Sequence, residues 1–75
     1  MKEQTFGEKA VGLSFNPSGN EGVDHLKRRY AELIDMHHGA QMATRSDAER
    51  RLHSIAIEHL QTAQMWSVKS ATYVD

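Results

Sequence analysis

From Asp47 to Asp75 no proline or glycine interrupts the chain, and Ser46-Asp47-Ala48-Glu49 opens this stretch with the pattern of a capping box. Two acids in the first turn suit the positive end of the helix dipole. The stretch predicts one long helix, which at about 1.5 Å per residue reaches about 40 Å if it continues to Tyr73. Leu52, Ile55, His59, Ala63, Trp66 and Tyr73 mark one stripe of it, and Ile57, Leu60, Met65 and Val68 mark others. Apolar surface therefore wraps much of the circumference, and a single partner helix cannot cover it. In a chain of 75 residues without cysteine, disulfides and thiolate metal sites are excluded as sources of extra stability. Oligomerisation is the remaining route.

A second periodic segment precedes the first. Val23, Leu26, Tyr30, Leu33, Ile34 and His37 recur at spacings of three and four, which predicts a helix from about Val23 to the neighbourhood of His38. Lys27, Arg28, Glu32 and Asp35 take the opposite face. Gly39 is the natural stop, with Ala40 to Ala43 able to prolong the helix. Residues 1–22 hold four of the five glycines and the only proline, and read as an extended N-terminal arm and turn. Phe15-Asn16-Pro17-Ser18-Gly19-Asn20 is the dense turn signal within them. Ser18 and Asn20 can each cap the following helix, and Ser18-x-x-Glu21 fits a capping box that Gly19 and Gly22 weaken. The expected fold class is all-α: a single domain with an arm over 1–22 and an antiparallel helical hairpin over 23–75, assembled into a compact homo-oligomer.

Charge and composition narrow the function. A formal net charge of −1 argues against a protein that coats DNA or RNA polymers. No apolar run approaches the roughly 20 residues of a membrane span, and Met1 to Lys9 lacks the apolar core of a signal peptide. The absence of cysteine is consistent with a reducing cytoplasm. Catalysis finds little support: there is no cysteine nucleophile, no glycine-rich phosphate loop ahead of a helix, and no Ser–His spacing that suggests a triad. Asp35-x-x-His38 and Glu49-x-x-x-His53 have ligand-compatible spacing. The Glu-x-x-His of di-iron bundles is missing, however, and His37 and His38 point about 100° apart. No metal and no cofactor is expected. His59 falls on the apolar face of the second helix, where a core or interface histidine with one hydrogen bond is the simpler reading.

One constellation carries chemistry. Lys27-Arg28-Arg29 follows the turn directly, where cations and free helix N–H groups attract anions. Phe15 lies close by in the turn, and an aromatic beside a cationic cluster suits a nucleobase with its phosphate. The plainer readings are a solvated charged face and an aromatic that staples the arm to the bundle.

Phe15-Asn16-Pro17-Ser18-Gly19-Asn20, then Val23-Asp24-His25-Leu26-Lys27 and Ala31-Glu32-Leu33-Ile34-Asp35, resembles the start of the hairpin domain in phage anti-CBASS sponge proteins. The run from Ile55 to Ala71 resembles that domain's second helix, with its Ala-x-x-His-hydrophobic core, aromatic or methionine pair, basic residue and alanine. The same domain occurs in Thoeris anti-defence proteins, and the resemblance covers most of residues 11–74. It implies a homo-hexamer, a trimer of dimers, that binds cyclic dinucleotide messengers between protomers without cleaving them. On that resemblance Phe15 stacks on a base and Lys27 meets a phosphate; Asn16, Pro17 and Ser18 are expected to shape the pocket, with Arg28 or Arg29 contributing according to the helix phase. A separate cyclic trinucleotide site in some members corresponds here to Lys69, aided by Thr72. Two departures stand out. Phe15 replaces the tyrosine of some relatives, and Lys69 replaces an arginine, which removes bidentate phosphate contact. The implied function is a non-enzymatic sponge in the cytoplasm of the infected bacterial host, blocking CBASS-type immunity. The alternative is a structural or regulatory hairpin that binds a protein partner through its apolar face.

Overall fold

Three helices follow one another in the computed structural model, which describes residues 3–17 and 19–75. The first, α1 (Phe6–Val11), occupies the segment expected to be extended. Its start is a full capping box: Glu8 N–H donates to Thr5 Oγ1 at 3.1 Å, and Thr5 N–H donates to Glu8 Oε1 at 2.8 Å. Gly12, at φ 62°, ends it in the left-handed conformation that glycine adopts without strain. Six residues are too few for a helix to persist alone. α1 exists because it docks, and periodicity over so short a span gives no warning of it.

α2 (Glu21–Ala43) begins two residues before the expected start, capped by Asn20, whose Oδ1 accepts from Val23 N–H at 3.1 Å. The alternative cap, Ser18, lies outside the described residues. Gly39 does not stop the helix. It keeps a negative φ, and the helix runs on to Ala43. A mid-helix glycine costs about 1 kcal/mol relative to alanine, and tertiary bonds beyond it offset that: the Gln41 side-chain amide donates to Arg50 O at 3.2 Å and to Ser54 Oγ. α3 (Asp47–Ala71) starts at the expected cap, with Glu49 N–H donating to Ser46 Oγ at 3.1 Å, and ends slightly before Tyr73.

The cross-helix bonds set the topology. Tyr30 pairs with Ser67, His37 with His53 and Gln41 with the Arg50 carbonyl, so position falls along α3 as it rises along α2. That is an antiparallel hairpin. α1 lies on the other flank of α2, also antiparallel, with Gly7 at Asp35 and Gly12 at Lys27. Among the described residues there is no strand. The Cα trace measures 46 × 33 × 12 Å, thin for stacked helical layers, whose axes alone stand ~8–10 Å apart.

The core is correspondingly small: Val11, Ala31, Ile34 and Ile57, with Ala10, Leu13, Tyr30 and Leu60 against it. Of the apolar residues expected to line α2, Val23 and Ile34 are buried and Leu33 is exposed. The supposed solvent face of α2 is where the structure differs most. Lys27 is only 6% exposed and Asp35 is partly buried, because α1 covers them and both bond to its backbone. On α3 the stripe that meets α2 runs through Ile57, Leu60 and Gln64. Leu52, Trp66 and Tyr73, on the stripe singled out from the sequence, are exposed.

Candidate functional site

The segment between α1 and α2 is closed by its own polar groups. Phe15 N–H donates to Gly12 O at 2.9 Å, Gly19 N–H to Asn16 O at 3.0 Å, and Asn16 Nδ2 to Asn20 O at 2.9 Å. Gly19 takes φ 63°, where a side chain would be strained. This turn holds Phe15 with its backbone fixed and its side chain out in solvent, 72% exposed.

Lys27 enters from the second turn of α2 beneath it. The ammonium donates to Gly12 O at 3.0 Å and to Phe15 O, and stands 5.6 Å from the centre of the Phe15 ring. A buried cation needs such partners, and here they are carbonyls of the arm with no carboxylate among them. Among the described residues no ion pair neutralises its charge. That arrangement attracts an anion and places an aromatic face next to it.

A cavity of about 260 Å³ opens at this point, lined by Phe15, Asn16, Pro17, Val23, Lys27, Val68 and Thr72. Four residues singled out for a dinucleotide site thus share one hollow, and Thr72, assigned to a second site, closes it from the end of α3. Thr72 Oγ1 donates to Val68 O at 2.9 Å, which fixes its rotamer. Val23 and Val68 are wall residues that the pattern could not separate from core. Nothing in an apolar periodicity distinguishes the two uses.

The remaining candidates lie elsewhere. Arg28 borders a different hollow with Glu8, Ala31, Glu32 and Asp35, and its Nε donates to Asp24 Oδ2 at 2.9 Å. The hydrogen bond and charge of Asp24 hold the guanidinium above its ordinary pKa. Arg29 pairs with Glu32 on the surface. Of the three-residue basic run, only Lys27 faces the cavity. Thr72 Oγ1 reaches the Lys69 carbonyl at 3.4 Å, but Lys69 lines a third hollow, with Met65 and Trp66, that Thr72 does not border.

The histidines divide among local contacts. His37 Nδ1 and His53 Nδ1 are 2.9 Å apart, and His53 Nε2 is 3.0 Å from Glu49 Oε2. His38 stacks on Phe6 with ring centres 4.0 Å apart. His59 is exposed. Among the described residues no group of three or more histidines and carboxylates is arranged to hold a metal ion, and no helix is long and apolar enough to cross a membrane.

The fold and the hollow together define a helical-hairpin domain with a small cavity beneath its N-terminal arm. Comparison of sequences supplies the family: the model of the Acb2/Tad1 hairpin domain matches residues 8–72, and the chain belongs to that family. The match runs from inside α1 to the C-cap of α3. It is the anti-defence family that the resemblance pointed to, whose members sequester signals of host immunity. No curated protein and no solved structure gives a significant match to the chain.

Proposed function

We propose that this protein is a sponge for cyclic dinucleotide messengers of bacterial antiphage immunity, binding them without chemical change in the cytoplasm of the infected host. The observation that carries this reading is the meeting of Phe15, Asn16, Pro17, Lys27 and Thr72 around one cavity. Phe15 stacks on a base, and Lys27 meets phosphate with the N–H left over from its two carbonyl bonds. Val23 and Val68 form the apolar wall, and Thr72 supplies a polar contact at the rim.

The cavity is smaller than the ~300–1,000 Å³ of ordinary small-molecule sites, so one protomer encloses only part of a cyclic dinucleotide. A second protomer completes it, in keeping with a homo-hexamer built as a trimer of dimers. The exposed apolar residues of α3 support that assembly. A cyclic trinucleotide site is proposed at Lys69, supported by the hollow it shares with Met65 and Trp66.

The test is isothermal titration with cyclic di-AMP, cyclic di-GMP, cyclic GMP–AMP and cyclic trinucleotides, followed by heat release and identification of the ligand. Tight binding with intact ligand recovered supports the sponge. A cleaved product would make it an enzyme, and no binding to any member would favour the protein-partner reading. Phe15→Ala is the cleanest variant because its side chain makes few contacts of its own. Loss of one stacked base should weaken binding by about 1–3 kcal/mol, roughly 5- to 150-fold in Kd, with the oligomer intact by sedimentation.

A further inference from the structure

The arm touches α2 at two places, and the two are about two helical turns apart. At the far place, Gly7 N–H donates to Asp35 Oδ1 at 2.7 Å. Gly7 there lies directly against the α2 backbone: a Cβ on it would stand 2.2 Å from Ala31 O and 2.9 Å from Asp35 Oδ1. The first of these neighbours is main chain and cannot move aside, so only glycine allows this approach. Phe6 adds a stacked contact with His38 one turn further on. At the near place, Lys27 Nζ holds Gly12 O and Phe15 O. Lys27, Ala31 and Asp35 stand four apart and so share one face of α2. Between the two places runs α1, a rigid segment capped at both ends, by Thr5 and by Gly12.

This rigidity has a consequence for the cavity. The loop carrying Phe15 leaves α1 through Gly12, and its own bonds tie it back to Gly12 and Glu8. Where α1 sits on α2 therefore decides where the Phe15 ring and the two carbonyls sit relative to the Lys27 ammonium. Resting on the reading of the cavity as a cyclic dinucleotide site, we propose that Gly7 and Asp35 are positioning residues for it: by seating α1 they hold the Phe15 ring and the Lys27 ammonium in their binding arrangement. Neither residue lines the cavity. They act at its geometry through α1.

The experiment uses the full chain with Gly7→Ala, Asp35→Ala and Asp35→Asn, the last keeping an acceptor oxygen for Gly7 N–H. Hydrogen exchange on ligand-free protein is read at the amides of Gly12, Leu13 and Phe15. These should lose protection in Gly7→Ala and Asp35→Ala and keep it in Asp35→Asn, while α3 amides stay as in the parent. Titration with the tightest-binding cyclic dinucleotide of the panel follows. If the arm is seated only about a tenth of the time, the apparent Kd rises about tenfold, and Asp35→Asn restores most of it. In a Phe15→Ala background the loss from Asp35→Ala should shrink, because part of its effect passes through that ring. Unchanged exchange in both disruptive variants overturns the proposal, as does lost protection with unchanged affinity. If the parent chain binds no cyclic nucleotide, the sponge reading fails, and the exchange data still decide whether Gly7 and Asp35 hold the cavity in place.

Discussion

α2 and α3 are nearly equal in length, at 23 and 25 residues, and each carries a stripe of apolar side chains, yet their surroundings differ. α2 is flanked on both sides, by α1 and by α3. It buries Val23, Lys27, Ala31 and Ile34, the last with no exposed surface at all. α3 has α2 on one side and almost nothing on the other. It buries only Ile57 and Gln64 and leaves Leu52, Met65, Trp66 and Tyr73 in solvent. Burial here follows the number of neighbours more than the composition of the helix. A lysine on α2 is more enclosed than a tryptophan on α3, because the lysine satisfies carbonyls of the arm while most of the tryptophan faces solvent. In a single-layer slab the second helix is a surface awaiting a partner, and a second copy fits the proposed assembly.

The largest effect expected from breaking this contrast is at Ile34. Ile34→Ala removes the one fully buried large side chain among the described residues and should cost about 2–5 kcal/mol in urea unfolding. A loss well under that would mean α2 is not the centre of the core. Next comes one of the bonds that tie the two helices, between Tyr30 Oη and Ser67 Oγ at 2.8 Å. Tyr30→Phe should lower stability by about 0.5–1.5 kcal/mol, with no change in oligomer size. Trp66→Ala sharpens the comparison from the other side. In dilute, dissociated protein it should move stability by about 0.5 kcal/mol or less, since 66% of the residue is exposed. At high concentration the same change should reduce association, read by sedimentation velocity. If it leaves association untouched, the bare face of α3 is covered by something other than this chain.

The smallest effect is one of pH, at the end of the hairpin where α3 begins. The hydrogen bond from His53, then that from Thr44, holds the Glu49 carboxyl below its ordinary range. A depressed carboxylate adds stability above its unfolded value, about 4.3, and that stability is lost as pH falls through the folded one. Glu49→Gln should therefore flatten the fall in urea midpoint as pH drops below about 4.3. A slope equal to that of the parent would show that neither bond matters to folding.

Much of this was legible beforehand, and the exceptions share a cause. The periodicity of Val23 to His37 and the unbroken run after Ser46 identify both long helices, and Asn20 and Ser46 cap them as side-chain chemistry suggests. α1 was missed although Thr5-x-x-Glu8 is a capping box in plain view, because six residues hold a helix only when docked. Gly39 misled for a related reason: local propensity favours a stop, and the bonds of Gln41 across to α3 override it. In the candidate site, Phe15, Asn16, Pro17 and Lys27 are close in sequence and could be grouped without coordinates. Thr72 and Val68 could not, since their place depends on how α3 is rotated against α2. Arg28 is separated from Lys27 by the 100° that one helical step imposes, and only the docking of α1 shows which of the two faces the arm.

By itself the sequence determined that this chain is helical, that two helices cannot cover their own apolar surface, and that an aromatic turn precedes a basic helix start. These follow from spacing, capping and composition, which act within a few residues and need no partner. The tertiary structure alone decided that Lys27 is buried under the arm, that Gly7 and Asp35 seat that arm, and that the end of α3 closes the cavity. Each of these depends on contacts between segments far apart in sequence, and packing and hydrogen-bond satisfaction choose among faces that periodicity leaves equivalent.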